Sequence, residues 1–265
     1  MIVYLTSFYE KKIFSHIILL CLMILCCSSI KPLTNSDTVL SYYEEGYKSE
    51  NWKTRVEAIR AVSSIKGEKA EDLIIKALDD SHNAVKIEAL QILVHRPIKR
   101  ARNVIRNIAL NNSNDNVRWN ALIALSQFRD PRDASVFIYN FANEDWLIRE
   151  AAIVGLLSID DLSTKYVNVD VIVRALHDSS ISVIMATLRN LNIRHTQIYY
   201  TLIGMLKEKN NITPSLTIGI LNALQLYKLE ENDKEIVVNF LTHPNLQVRL
   251  AAFQTLKRQN LMNNM

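Results

Sequence analysis

Glycine and proline are scarce in this chain, with five of each in 265 residues, and the glycine share is about a third of the ordinary level. So few turn formers exclude a turn-rich β-sandwich, and the five glycines form no phosphate-cradling loop. Cysteine is confined to Cys21, Cys26 and Cys27, so nothing from Ser28 to Met265 can form a disulfide or a thiolate metal site. A dominant charge is also missing: 31 Lys and Arg face 27 Asp and Glu, a net +4. Without residues 1–27 the balance is 29 − 26 = +3, which is no nucleic-acid footprint. What remains is 49% apolar and 22% charged, the composition of an ordered chain with a sizeable core.

The first segment stands apart. Lys11-Lys12 precede an uncharged run from Ile13 to Cys27, followed by Ser28-Ser29, in the order of a secretory signal's charged, apolar and small-residue regions. The run is short for a spanning helix, which needs about 20 residues. Ile24-Leu25-Cys26-Cys27 resembles a bacterial lipobox with Cys27 as the acylated residue and Cys26 as the alternative. It departs from that motif because the residue before the modified Cys is usually Gly, Ala or Ser. Simple cleavage near Ser28 or Ser29 and a retained anchor are the other readings. The expected organisation is a signal peptide over 1–27, a linker over 28–36, a folded domain over 37–260 and a tail over 261–265. The expected address is the cell envelope, on its periplasmic side or outer surface, with the membrane surface engaged through an N-terminal lipid. A soluble secreted form is the alternative.

Internal repeats set the fold. Aligned on one anchor position, written 0, the chain shows TR55VEAIRAV, VK86IEALQIL, VR118WNALIAL, IR149EAAIVGL, VI184MATLRNL, LT217IGILNAL and VR249LAAFQTL. The anchors are 31, 32, 31, 35, 33 and 32 residues apart, a period that means stacked supersecondary units. Apolar residues at −1, +3, +4 and +7 make one helical stripe. The +3 column is small in most copies (Ala58, Ala89, Ala121, Ala152, Ala252), so a neighbouring helix can come close. A second apolar segment lies between copies, and Pro97 and Pro131 stand where such helices would begin.

A helix, an acidic turn and then V-R-x-x-A-x-x-A-L resembles the HEAT-repeat family, over about Asp37 to Lys257. The resemblance implies an all-α fold, a right-handed α-solenoid of about seven helix pairs, with the first helix (A) of each pair convex and the second (B) concave. Ser36 to Ser49 would be the first A helix. Ile184 and Thr217 in place of the cation, and Ile220 in place of the small residue, depart from the family pattern. The longer fourth spacing places an inserted loop at 158–168.

Four site expectations follow. The cations Arg55, Lys86, Arg118, Arg149 and Arg249 read as a structural ladder bonding turn acceptors such as Asp80, Asp115, Asp145 and Asn245. Arg118 is expected to be structural and Arg102 dispensable. A denser basic patch, Arg96, Lys99, Arg100, Arg102 and Arg106, reads as a solvated face or a site for acidic head groups or an acidic partner. No catalytic residue, metal ligand set or cofactor motif is found: none of the six histidines is followed by Glu, as the di-iron deoxyhypusine hydroxylases of HEAT-like fold would require, and His177-Asp178 reads as a turn. The chain is therefore expected not to be an enzyme, the alternative being a HEAT-like lyase or hydrolase with an unrecognised site. Finally, B-helix positions +2 and +5 turn away from the core stripe, and Trp119, Ile123, Ala151 and Val154 are expected to form an apolar groove for a protein or peptide partner, with no nucleic acid involved.

Overall fold

The structure, a computed structural model, describes residues 36–160, 169–208 and 212–262. The leader with Cys26 and Cys27, residues 161–168 of the expected loop and residues 263–265 lie outside it. The described residues form fourteen α-helices in seven antiparallel pairs. The A helices are α1 (Ser36–Tyr47), α3 (Glu68–Ala77), α5 (Arg102–Asn111), α7 (Ala134–Asn140), α9 (Val169–Leu176), α11 (Thr196–Lys207) and α13 (Glu231–Val238). Their B partners are α2 (Trp52–Val62), α4 (Asn83–His95), α6 (Asp115–Ser126), α8 (Trp146–Leu157), α10 (Ile181–Asn190), α12 (Pro214–Leu224) and α14 (Leu246–Met262). Pro131 opens a short 3-10 turn, Pro131–Asp133, that leads into α7; beyond Pro97 a similar turn, Lys99–Ala101, leads into α5.

One device opens nearly every B helix. The side chain six residues before the anchor accepts a hydrogen bond from the backbone N–H two residues on: Ser49 from Asn51 (3.2 Å), Asp80 from His82 (2.8 Å), Asn112 from Asn114 (2.9 Å), Asn143 from Asp145 (2.8 Å), Asp178 from Ser180 (2.8 Å) and His243 from Asn245 (3.1 Å). The residue at −4 then caps the helix, as Asn51, His82, Asn114, Asp145, Thr213 and Asn245 do. Such turns need short polar side chains rather than glycine, which is why a glycine-poor chain can still turn this often.

Successive B helices pack on one another in an unbroken row from α2 to α14, while the A helices touch their A neighbours more sparsely. Closer spacing on one side curves a stack toward that side, so the B row is the inner one. The −1 side chains Val85, Val117, Ile148, Val183 and Val248 and the +3 alanines Ala89, Ala121 and Ala152 are fully buried. Repeat six carries Ile220 at the small position and Gly219 just before it; a methyl group on Gly219 would lie 3.1 Å from Leu188 at +4 of the preceding repeat. This contact orients the joint, since +4 of one repeat faces +2 of the next. Gly155 serves a different approach, with the Phe137 ring lying across its Cα so that a Cβ there would fall 2.2 Å from it.

Candidate protein-binding face

At 100° per residue, positions −3, +1 and +5 of a B helix fall at 60°, 100° and 140° from the anchor and form one stripe. The structure leaves that stripe uncovered along the whole B row. In repeats three to five six of its nine positions are apolar, Trp119 and Ile123 on α6, Trp146 and Val154 on α8, Ile181 and Met185 on α10, and Asp115, Glu150 and Arg189 hold the other three. Trp146 is 42% exposed, Leu147 beside it 40% and Ile181 52%. In the outer repeats its +5 column turns polar, at Arg60, Gln91, Asn222 and Gln254. Three of the four expected groove residues, Trp119, Ile123 and Val154, thus share this half-buried face. The fourth is corrected: Ala151 at +2 is buried, because +2 is rotated 200° and turned into the joint with the preceding repeat. Trp146, Leu147 and Ile181 escaped the sequence reading, although a large apolar residue at −3 (Trp52, Trp146, Ile181, Leu246), one step after a helix cap, was a visible signal.

The ladder is real at two joints. Arg55 donates from Nε and Nη2 to both oxygens of Asp80 in the next repeat at 2.8 Å, and from Nη1 to the carbonyls of Ser49 and Glu50. Arg149 repeats this arrangement with Asp178 and the carbonyls of Asn143 and Glu144. Burial alone would raise Asp80, but bonds from Arg55 and the His82 N–H hold its carboxyl below the usual range. The Arg149 fork, against the opposing effect of burial, does the same for Asp178. The rule is an Asp at −6 of the following repeat. Asn143 occupies that place after Arg118, which pairs instead with the exposed Asp115 of its own helix and keeps a buried Nε without a partner. Where the cation is lost, neutral bonds join the repeats: Tyr227 OH donates to the Ile193 carbonyl (3.0 Å) and Thr255 to the Leu221 carbonyl (2.8 Å).

The expected basic patch is largely neutralised. Arg102 donates twice to the fully buried Asp133, at 2.9 and 2.8 Å, with Arg106 adding a third bond at 3.2 Å. Desolvation raises Asp133 in spite of these cations. Arg100 pairs with Asp72 and Glu71, and Arg96 bonds the carbonyls of Ser63 and Ile65. Lys99 alone of the five is exposed without an ion pair among the described residues. The reading of Arg102 as dispensable is corrected, since its partner sits 31 residues away in the following A turn.

Among the described residues no group of three or more His, Cys, Asp or Glu could hold a metal, and no helix is long and apolar enough to cross a membrane. Asp178 is committed to Arg149, and His177 Nδ1 lies 2.9 Å from the Val173 carbonyl oxygen. A shallow depression beside α11 is lined by His177, His195, Tyr200 and Met205, and there His195 is spent on capping α11.

Residues 71–157, from α3 through α8, match the family model for HEAT repeats. Among curated proteins nothing matches the chain. Solved structures of similar path include the Escherichia coli protein YibA (TM-score 0.54, 17% identity, 84% of this chain and 93% of that one). Human deoxyhypusine hydroxylase in complex with glycerol is another (0.42, 15%, 85% and 98%). A computationally designed armadillo repeat protein for modular peptide recognition is a third (0.40, 16%, 83% and 99%). At such identities the likeness speaks to the fold alone. It nevertheless corrects the expectation that the chain is not an enzyme: the similar structures include an enzyme, so the helical scaffold is no ground for excluding catalysis.

Proposed function

We propose that this HEAT-repeat protein is a helical scaffold that holds a protein or peptide partner on the free face of its B row. The observation that carries the reading is the concentration of apolar side chains in repeats three to five, where Trp146, Leu147 and Ile181 are 42%, 40% and 52% exposed beside half-buried Trp119, Ile123, Val154 and Met185, with Glu150 among them. Exposed apolar stretches rimmed by polar residues mark interaction sites, and a tryptophan at the centre supplies the rigid anchor of most hot spots. Arg60, Gln91, Arg189 and Asn222 provide that rim. A peptide or helix laid along the row would seat its apolar side chains between the stripes of adjacent repeats. The same proposal places the scaffold at the cell envelope, tethered by a lipid on Cys27 or else Cys26. Support for this comes from Lys11-Lys12, the uncharged run and the Ile24–Cys27 tetrapeptide.

Trp146→Ala with Ile181→Asp tests the binding face. The pair should abolish co-purification of the partner while leaving the melting temperature within about 2 °C, since exposed positions contribute little to stability. Partner capture that survives in the folded double variant refutes the assignment. Labelling by a fatty-acid analogue tests the tether, which fails if label persists in both Cys27→Ser and Cys26→Ser.

A further inference from the structure

The +1 position is the middle of the uncovered stripe, and along the seven B helices it reads Val56, Ile87, Trp119, Glu150, Met185, Ile218 and Leu250. The single charged residue of this column is the central one. Successive B helices pack on one another at about 8–10 Å between axes, so Trp119 on α6 and Met185 on α10 occupy the equivalent places on either side of Glu150. Along α8 itself Trp146 and Val154 stand four residues before and after it, about 6 Å away on the same face. Trp146 is exposed and the other three neighbours are half-buried, as is Glu150.

Glu150 has no partner in the fold. Acids at the neighbouring joints are engaged, Asp115 with Arg118 and Asp178 with Arg149. Glu150 accepts no side-chain hydrogen bond and joins no ion pair among the described residues. The nearby cations are turned elsewhere, Arg149 into its fork with Asp178 and the carbonyls of Asn143 and Glu144, and Arg189 with its Nε on the Met185 carbonyl at 3.1 Å. A carboxylate half-buried among apolar groups has lost part of its hydration and received no bond in exchange. An entirely apolar partner would complete that loss and strand the charge, whereas a cation would offset it.

We propose, resting on the B row as the binding face, that its partner is a peptide segment carrying one Lys or Arg between apolar side chains. The cation bonds Glu150, its methylene stem lies against Trp119 and Trp146, and the flanking apolar residues cover Met185, Val154 and Ile181. Indole rings favour the same charge, since a ring face attracts a cation within about 6 Å. Glu150 thereby sets specificity on a face whose affinity comes from its apolar side chains. A partner with an acid at that place meets repulsion, and one with nothing polar there leaves a buried charge unpaired.

A display library of random linear peptides, selected on the purified full chain in a mild non-ionic detergent, tests the proposal. Wild type should enrich sequences that share one Lys or Arg flanked by apolar residues. Glu150→Gln should weaken binding of those peptides by about tenfold or more, the effect of losing one charge-assisted bond, and Glu150→Lys should switch the selection to Asp or Glu at the same place. Because the Glu150 side chain bonds nothing in the fold, both variants should melt with the wild type. Trp146→Ala with Ile181→Ala, which leaves the charge of the face unchanged, reports on the face itself. Peptides lost in that variant that share no cation or bind Glu150→Gln equally well, or a Glu150→Lys selection that still favours basic sequences, would overturn the cation assignment and leave the face standing. Peptides bound undiminished by the alanine pair, or no enrichment on wild type, would overturn the face and the partner assignment with it.

Discussion

Replacing Asn143 by Asp should stabilise the protein. In wild type the Asn143 side-chain oxygen accepts the Asp145 N–H at 2.8 Å, a bond a carboxylate retains, and its amide N–H groups make no bond that would be lost. Arg118 stands one repeat earlier with a buried, unpartnered Nε, at the position from which Arg55 and Arg149 grip Asp80 and Asp178. Each of those carboxylates accepts two bonds at 2.8 Å while its side chain is only 5% and 7% exposed, and each is nonetheless held below its ordinary pKa. At Asp178 the fork outweighs desolvation, and at Asp80, where desolvation is the largest single effect, the fork and the His82 N–H together overcome it. Bonds of this charge-assisted kind contribute about 1.5–3 kcal/mol net. Giving up the exposed Asp115 pair costs about 0.5 kcal/mol, which leaves a gain of about 1–2.5 kcal/mol, or roughly 2–10 °C in melting temperature for a domain this size. Urea denaturation at pH 7 of wild type, N143D, Arg118→Ala and the double variant would measure it. The gain should vanish when Arg118 is absent. A neutral or destabilising N143D, or a gain that persists without Arg118, refutes the joint rule.

Further outcomes follow from the same contacts. Arg102→Ala leaves the buried Asp133 with Arg106 as its one remaining cation and should cost about 3 kcal/mol, clearly more than Arg118→Ala; equal losses in denaturant titrations would contradict the pairing. Gly155→Ala drives a methyl group into Phe137 and should destabilise by about 1–3 kcal/mol, whereas Gly204→Ala on α11, with open space around it, should stabilise by about 0.5–1 kcal/mol in thermal melts. Asp80 and Asp178 titrate lower in the fold than in the unfolded chain, so their stabilisation is complete above the unfolded pKa of about 3.9 and is lost as pH falls through the folded values. Stability measured from pH 6 downward should therefore drop less steeply in Asp80→Asn with Asp178→Asn than in wild type, and parallel profiles would contradict this.

The architecture was legible because a helical pair cannot hide its period. The stripe −1, +3, +4 and +7 at a spacing near 32 residues places the B helices and the second apolar segment between copies their A partners, and α1, Ser36–Tyr47, falls within the expected first A helix. The joints were harder to read. Arg102 and Asp133 are 31 residues apart, and nothing local in the sequence distinguishes that arginine from its exposed neighbours. The difference between Arg149 and Arg118 lies in whether Asp or Asn stands in the following turn. The uncovered face of the B row was half legible: the rotation leaves Ile123 and Val154 on it, half-buried, but the anchor alone does not say which side of a B helix meets the preceding repeat. The Gly219–Leu188 contact does, and it removes Ala151 from the face and admits Trp146 and Ile181.

The most direct test of the scaffold reading is site-specific photo-crosslinking in cells producing the full chain. A benzophenone amino acid at Ile181 or Trp119 on the B row should give one discrete adduct with the same partner, while the same probe at Tyr139, 64% exposed on the A helix α7, should give none. Adducts of equal yield and identity at Tyr139, or none at either B-row position, would contradict the assignment of the B row as the binding face.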